Sequence, residues 1–214
     1  MKLTSRSGIS LDSLKAELRR FRLVGGGWFE IFIGCRHGCC RELLREIGEG
    51  DDVAKGWPTG IGDGFTVECC DGLGGWFDEV AAAFSEVEGL LIDYGLPVTA
   101  EFFDPGRRGG TLRAYANQQL LDDPLSAPGL SDLTAHVDFE RVGKAAEVAG
   151  FEVVDLSDQH HFLTRAARPW LLELDGKGAP DPATAKLLRQ FQSLTHPAAM
   201  GATFKVLEVR RSVP

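Results

Sequence analysis

The sequence lacks any apolar run that approaches the about 20 residues needed to cross a bilayer as a helix, which argues against a membrane partner. Basic residues are also few: 23 Lys and Arg stand against 31 Asp and Glu, and the net charge is −8. Because nucleic-acid-binding proteins usually present a basic face, this balance argues against nucleic acid as a partner. An apolar fraction of 43% and a charged fraction of 25% are ordinary for a globular chain, and 214 residues suit one domain.

Cysteine is scarce, and its number is odd. The five cysteines are Cys35, Cys39, Cys40, Cys69 and Cys70. Their spacing does not match the disulfide framework of a secreted protein, so we predict free thiols, a reducing compartment and a cytoplasmic location. Adjacent cysteines make poor sets of zinc ligands, and we therefore predict no metal site.

Two short segments near the start of the chain predict a β-hairpin. Leu18–Val24 and Trp28–Ile33 flank Gly25-Gly26-Gly27, a turn that can adopt positive φ without steric cost. Cys39–Ile47 then predicts a short helix, and the glycine-rich segment Asp51–Asp63 predicts a loop.

The elements that follow are typical of an α/β protein. Phe65–Cys69 predicts a short strand, and an apolar stripe at three- and four-residue steps predicts a helix that ends at Gly89. Leu90-Leu91-Ile92 then runs into Asp93-Tyr94-Gly95, which is typical of a buried parallel strand with a ligand near its carboxyl end. The stripe consists of Leu73, Trp76, Phe77, Val80, Phe84 and Val87.

The second half of the chain opens with a long irregular segment, Pro97–Pro128. A loop of that length inside a compact domain usually has a function. Asp138 has the position of an N-cap, ahead of a predicted helix that Gly150 terminates. The remaining predicted elements are helices over Phe139–Ala149, Phe162–Leu174 and Pro182–Leu194, and strands over Phe151–Leu156 and Thr203–Val209.

A glycine cluster at Gly72-Leu73-Gly74-Gly75 follows a predicted strand and opens a predicted helix. Such a turn lets the backbone approach a nucleotide, and Asp93 lies about 20 residues on, where a Rossmann fold places the acidic residue that binds ribose. The cluster lacks the full GxGxxG spacing, so we favour a glycine-rich helix start. Gly72 and Gly74 remain the candidates for cofactor contacts.

Several motifs in the second half of the chain share an order and spacing with one enzyme family. They are Leu91–Gly95, Gly110–Tyr115, Asp123–Leu125, Asp132–Phe139, Gln159 with Phe162-Leu163, and Met200–Leu207. The chain resembles the MidA-like family of S-adenosyl-L-methionine (SAM)-dependent methyltransferases, which is the family of the mitochondrial complex I assembly methyltransferases. The resemblance covers residues 21–214 and is specific from Leu91 onward.

The resemblance implies an α/β fold, namely the C-terminal part of a Rossmann-like methyltransferase whose last strand runs antiparallel to its neighbours. Residues 18–63 would form a hairpin insertion, and residues 64–214 would supply the late strands and helices of a single domain 1–214, with a helical substrate region. The family carries its glycine-rich SAM motif in the half of the fold that precedes this one. We therefore expect a chain truncated at its N-terminus.

The resemblance also implies SAM as the cofactor, and a protein arginine as the methyl acceptor. The partner would then be a protein substrate, and a homo-oligomer is left open. Two other hypotheses remain. One is a non-catalytic remnant that binds a protein through the surviving substrate region. The other is a different nucleotide-binding enzyme that uses Gly72–Gly75 and Asp93.

Methylation of a guanidinium requires groups that bind the planar cation and remove a proton, and carboxylates serve both purposes. Asp93 is the first candidate, although it could instead cap a neighbouring loop. His136 could act as a base near neutral pH, or could brace the loop before a helix. Asp138 suits an N-cap better than a catalyst. The candidates for substrate binding are Tyr94, Arg113, Tyr115 and Gln159.

Overall fold

The computed structural model describes residues 18–37, 39–48, 51–58, 60–176 and 178–212. The strands are β1 Leu18–Val24, β2 Gly27–Arg36, β3 Cys39–Glu46, β4 Thr66–Cys70, β5 Glu86–Leu96, β6 Arg113–Ala116, β7 Gln119–Leu121, β8 Asp132–Thr134, β9 Val137–Asp138, β10 Glu152–Asp158 and β11 Phe204–Ser212. The helices are α1 Leu73–Ala83, α2 Phe139–Val148, α3 Gln159–Leu174 and α4 Pro182–Thr195. None of the helices among these residues is both long and apolar enough to cross a membrane.

The described residues divide into two compact units. The first unit holds residues 77–95 and 143–212, and the second holds residues 18–76 and 96–142. The neighbouring strands within each unit run antiparallel to one another.

The sheet of the second unit has the strand order β3-β2-β1-β4, and neighbouring strands run antiparallel. The predicted hairpin is confirmed, because β1 and β2 are joined at Gly25 and Gly26, whose φ angles are 59° and 81°. Positive φ at two successive turn residues matches the twist of the flanking strands, and glycine adopts it without a steric penalty.

The predicted helix over Cys39–Ile47 is wrong, because these residues form strand β3. Leu43 lies opposite Phe32 of β2, and Leu44 lies opposite Ile31. The long partner strand β2 offers backbone hydrogen bonds along its length, and this tertiary pairing outweighs local helix propensity.

The prediction of free thiols is also wrong for one cysteine pair. Cys35 and Cys40 are cross-strand partners at the end of the β2–β3 hairpin and form a disulfide. Cys69 and Cys70 keep reduced thiols, as predicted. The side chain of Cys39 lies outside the described residues.

Aromatic side chains form the core of the second unit. Trp57 packs edge-on against Phe21 at 5.5 Å between ring centroids and against Trp28 at 4.7 Å. Phe103 closes the cluster at 6.0 Å from Trp57. Phe21 is fully buried, so β1 supplies the centre of this core. Aromatic contacts in such edge-on geometry stabilise a core beyond the area that they bury.

A network of charges is centred on Arg19, which lies on the inner strand β1 of that sheet. Its guanidinium donates to both oxygens of Glu30, at 2.8 and 2.9 Å, and to Asp51 and Asp71, each at 2.6 Å. Glu30 is buried, and the hydrogen bonds from Arg19 hold its pKa below the ordinary carboxyl value. A buried carboxylate requires such a partner, because burial alone penalises its charged form.

The long segment Pro97–Pro128 is less irregular than predicted. It contains a 3-10 helix over Thr99–Phe103, and strands β6 and β7 form a hairpin to which β8 adds on the other side of β6. The turn between β6 and β7 places Asn117 and Gln118 at positive φ.

In the first unit, β11 lies between β10 and β5 and runs antiparallel to both. This confirms the prediction for the last strand. Strand β5 pairs with β11 from Glu86 to Tyr94. Because Glu86–Gly89 belongs to that ladder, α1 ends at Ala83 rather than at the predicted Gly89.

The prediction that Leu90–Ile92 is a fully buried parallel segment is wrong in this unit. The side chains of Leu90 and Ile92 are 42% and 41% exposed, whereas Leu91 between them is buried. That alternation is typical of an antiparallel strand with one covered face. On the covered side, Phe77 of α1 packs edge-on against Phe151 at 5.2 Å.

Candidate functional site

The glycine cluster after β4 forms the start of α1, as favoured from the sequence. Strand β4 pairs antiparallel with β1, and Trp76 donates its backbone N–H to the carbonyl of Gly72 at 3.0 Å. A Cβ on Gly74 or Gly75 would meet nothing within 4 Å. No neighbour among the described residues requires glycine at positions 74 and 75, and Gly72 and Gly74 stay predictions as cofactor contacts.

A buried carboxylate that the sequence did not single out organises the loop before β6. Glu68 lies on β4 and is only 3% exposed. Its Oε2 accepts the backbone N–H of Thr111 at 2.7 Å and the Thr111 hydroxyl at 2.9 Å, and its Oε1 accepts Nε–H of Arg20 at 3.1 Å. Both oxygens are thus hydrogen-bonded, as an ionised group this deeply buried requires.

Gly110 lies against this carboxylate. Its φ is 82°, and a Cβ at this position would stand 2.4 Å from Oε1 of Glu68. The chain can close over Glu68 only because residue 110 has no side chain and tolerates positive φ.

His136 is attached to the same cluster. Its backbone N–H donates to the hydroxyl oxygen of Thr111 at 3.1 Å. Burial lowers the pKa of the half-buried imidazole, and the nearby cations of Arg107 and Arg113 lower it further, while the charge of Glu68 opposes them. The lowered pKa favours the neutral form of the ring at neutral pH.

Arg113 and Tyr115 lie on β6, in the same unit as His136. Arg113 donates to the carbonyl of Leu112 at 2.8 Å, and its backbone lies opposite Thr134 of β8. Tyr115 is 37% exposed and lies opposite Asp132. The structure thus brings the predicted residues Arg113 and His136 into one electrostatic environment.

Asp93, Tyr94 and Gln159 belong to the other unit. Asp93 is 6% exposed, and its carboxylate accepts the backbone N–H of Tyr94 at 2.8 Å. The Tyr94 ring packs edge-on against Phe204 at 5.7 Å. Gln159 begins α3 and donates from its side-chain amide to the carbonyl of Leu194 at 2.8 Å, so it ties the start of α3 to the last turn of α4.

Asp138 is the N-cap that the sequence predicts. Its Oδ1 accepts the backbone N–H of Arg141 at 3.2 Å, and its Oδ2 accepts the hydroxyl of Thr99 at 2.8 Å. Burial raises the pKa of this carboxyl group. Within the described ranges, no group of three or more His, Cys, Asp or Glu side chains has a geometry that could hold a metal ion.

Comparison with known proteins gives one family model, which matches residues 17–157 and is described as "Putative S-adenosyl-L-methionine-dependent methyltransferase". The chain is also similar to three relatives whose names describe mitochondrial proteins. Two are named protein arginine methyltransferase NDUFAF7, and the third is named as its homolog. The Danio rerio protein is 30% identical over 67% of this chain and 32% of its own length. The Drosophila melanogaster homolog is 36% identical over 54% of this chain and 26% of its own length. The Rattus norvegicus protein is 33% identical over 87% of this chain and 41% of its own length.

A solved structure from Burkholderia thailandensis, bound to S-adenosyl-homocysteine, superposes with a TM-score of 0.80 and 25% identity. The superposition covers 99% of this chain and 56% of that one. A native structure of a protein from the same organism superposes on this chain with a TM-score of 0.80 and 26% identity, and the superposition covers 57% of that protein. The chain thus spans 56–57% of these solved chains and 26–41% of the curated relatives named above.

Proposed function

Since this chain belongs to the MidA-like family of SAM-dependent methyltransferases, we propose that it takes part in methyl transfer from SAM to a guanidinium nitrogen of a protein arginine. The observation that carries the proposal is the family match over residues 17–157, a range that includes Glu68, Asp93 and His136. A fold neighbour that binds S-adenosyl-homocysteine supports the choice of cofactor. The names of the three curated relatives support arginine as the acceptor.

The glycine cluster shows no feature that assigns it to the cofactor. SAM-binding turns bring glycine backbone close to the ligand, whereas Gly74 and Gly75 lie inside the first turn of α1 on a segment that follows an antiparallel strand. We therefore assign no residue of this chain to SAM and derive no step through it.

The proposed contribution of this chain lies on the acceptor side. A guanidinium is protonated at neutral pH, so its nitrogen must lose a proton when it gains a methyl group. His136 suits the role of proton acceptor, because its lowered pKa keeps the imidazole neutral. Arg113 and Tyr115 lie in the same unit and would orient the acceptor segment.

In the other unit, Asp93 stays a separate prediction for binding an acceptor cation, as a carboxylate near the end of a strand. Its bond to the N–H of Tyr94 fixes one oxygen, Oδ1, in place. Tyr94 and Gln159 stay predictions for substrate binding. The side-chain amide of Gln159 also has a structural role, because it donates to the carbonyl of Leu194.

The test combines a binding measurement with an activity measurement. The purified chain is titrated with S-adenosyl-homocysteine by calorimetry, and is then incubated with SAM and an arginine-containing peptide. We expect methylarginine, detected by mass spectrometry, and a loss of at least about 100-fold in His136→Gln. Methylation of another residue type would contradict arginine as the acceptor. A folded chain that neither binds the ligand nor methylates any peptide would contradict activity in this chain.

A further inference from the structure

We propose that Glu68 is a positioning residue that fixes the place of His136 through the hydroxyl of Thr111. The inference rests on the proposed function, in which His136 accepts a proton, and it assigns a role to a residue outside that site. Three segments meet here, namely strand β4, the loop at Gly110-Thr111 and the segment before α2.

The direction of the hydrogen bonds carries the argument. An ionised carboxylate only accepts, so the Thr111 hydroxyl, at 2.9 Å, must give its single proton to Glu68. The lone pairs of that hydroxyl are then available on its other side, where the backbone N–H of His136 lies at 3.1 Å. Without the carboxylate, the hydroxyl could rotate and would no longer favour this acceptor geometry.

Glu68 is itself held on its other oxygen. Arg20 donates Nε–H to Oε1, and its Nη1 binds Glu42 at 2.9 Å. Glu42 in turn forms an ion pair with Arg22 at 2.7 Å. Opposite charges therefore alternate from Glu68 to Arg20, Glu42 and Arg22, and Arg20 anchors the carboxylate from β1.

The close approach of Gly110 shows how tightly the loop is placed. The Glu68 carboxylate occupies the space that a Cβ on residue 110 would fill, with Oε1 2.4 Å from that position. Oε2 then receives both donors of Thr111, with distances of 2.7 and 2.9 Å. Two bonds from one residue to one oxygen fix the orientation of that residue as well as its distance.

The test uses a pair of variants at one position. Thr111→Val keeps the shape of the side chain and removes the hydroxyl, whereas Thr111→Ser keeps the hydroxyl. Glu68→Gln removes the charge with little change in shape. Thr66→Val is the matched control, because it removes another buried threonine hydroxyl two residues from Glu68. The Thr66 hydroxyl accepts a hydrogen bond from Arg22 and has no part in the proposed chain of bonds.

The first readout is independent of catalysis: NMR titration of the His136 imidazole and the chemical shift of its backbone amide. We expect both to change in Thr111→Val and Glu68→Gln, and to stay at wild-type values in Thr111→Ser and Thr66→Val. Unchanged His136 resonances in Thr111→Val would overturn the proposal, even if that variant is less stable.

The second readout is the steady-state kinetics of methyl transfer. We expect kcat to fall at least about tenfold in Thr111→Val, with KM within about twofold, because misplacement of a base affects the transition state more than binding. Recovery in Thr111→Ser is expected. If the wild-type chain transfers no methyl group, the proposed function fails, whereas the NMR comparison still decides whether Glu68 positions His136.

Discussion

Gly110 lies directly against Glu68, so closely that a Cβ on residue 110 would stand 2.4 Å from the carboxylate oxygen. The two residues are 42 positions apart in the sequence, yet each restricts what the other can be. Glu68 cannot move aside, because Arg20 and Thr111 hold its two oxygens.

Gly110→Ala should destabilise the protein through two separate effects. The alanine must adopt positive φ, which costs about 1–2 kcal/mol, and its methyl group must displace the carboxylate. Gly129→Ala is the matched control, because Gly129 also has positive φ but open space around it. We expect Gly110→Ala to lose at least about 1 kcal/mol more than the control in urea unfolding. Equal losses would show that the carboxylate yields without cost.

Replacing Arg19 should leave a buried charge without its main partner. Arg19→Ala is expected to cost about 3 kcal/mol, since Glu30 would keep only the weaker contact from Arg45, at 3.3 Å. The exposed pair Arg210–Glu152 provides the control, and Arg210→Ala should leave the thermal midpoint nearly unchanged.

The same cluster predicts a pH dependence. Arg19 lowers the pKa of Glu30 and of Asp51 in the folded state. Their contribution to stability is therefore present above the ordinary carboxyl pKa and is lost as the pH falls through the lowered values. Arg19→Ala should show a smaller loss of unfolding free energy between neutral and acid pH than the wild type. A parallel dependence in both proteins would contradict this assignment.

Asp138 should show the opposite sign. Burial raises its folded pKa, so the stability linked to its protonation is fully present below the ordinary aspartate pKa and is lost as the pH rises through the raised value. Asp138→Asn keeps an N-cap and should lose this pH dependence. Asp138→Ala should cost about 1 kcal/mol because the cap is lost. Urea unfolding of the three proteins from acid to neutral pH separates the two effects.

The charge environment of His136 makes a prediction for the rate. Its pKa lies below that of a free imidazole, so methyl transfer should decline only at a pH below about 6.5, as the ring gains a proton. Arg107 contributes to that lowering, and Arg107→Gln should move the acid limb of the pH–rate profile to higher pH. Arg36→Gln, an exposed arginine of the β2–β3 hairpin, should leave the profile in place. A shift to lower pH in Arg107→Gln would exclude His136 as the titrating base.

Much of the fold could be predicted from local patterns. The glycine turn of the first hairpin and the N-cap at Asp138 were correct because each depends on a few neighbouring residues. The motifs of the second half identified the family, and the match over residues 17–157 and the superposition with solved relatives confirm it, together with the α/β methyltransferase fold.

The errors arose where pairing with another strand decides the structure. Cys39–Glu46 became a strand because β2 lies beside it, although Leu43, Leu44 and Ile47 also suit a helix face. The end of α1 was misplaced because β11, more than 100 residues later, recruits Glu86–Gly89.

The site was only partly readable for the same reason. His136 and Arg113 could be chosen by their chemistry, and the structure places them in one unit. Glu68 carried no local signal, because a glutamate in a short apolar strand normally faces solvent. Its partner Thr111 lies 43 residues away, and only the folded chain brings the two together.

The disulfide between Cys35 and Cys40 closes a loop that contains Arg36. Arg41 lies outside the loop, directly after Cys40. Trypsin can therefore cut after Arg36 without releasing a fragment, since the two new ends stay covalently joined. A protein cut only at this bond would migrate as a single band on a non-reducing gel. It would give two bands once a thiol reductant is added. The gel mobility of the digested chain thus reports directly on the redox state of the hairpin.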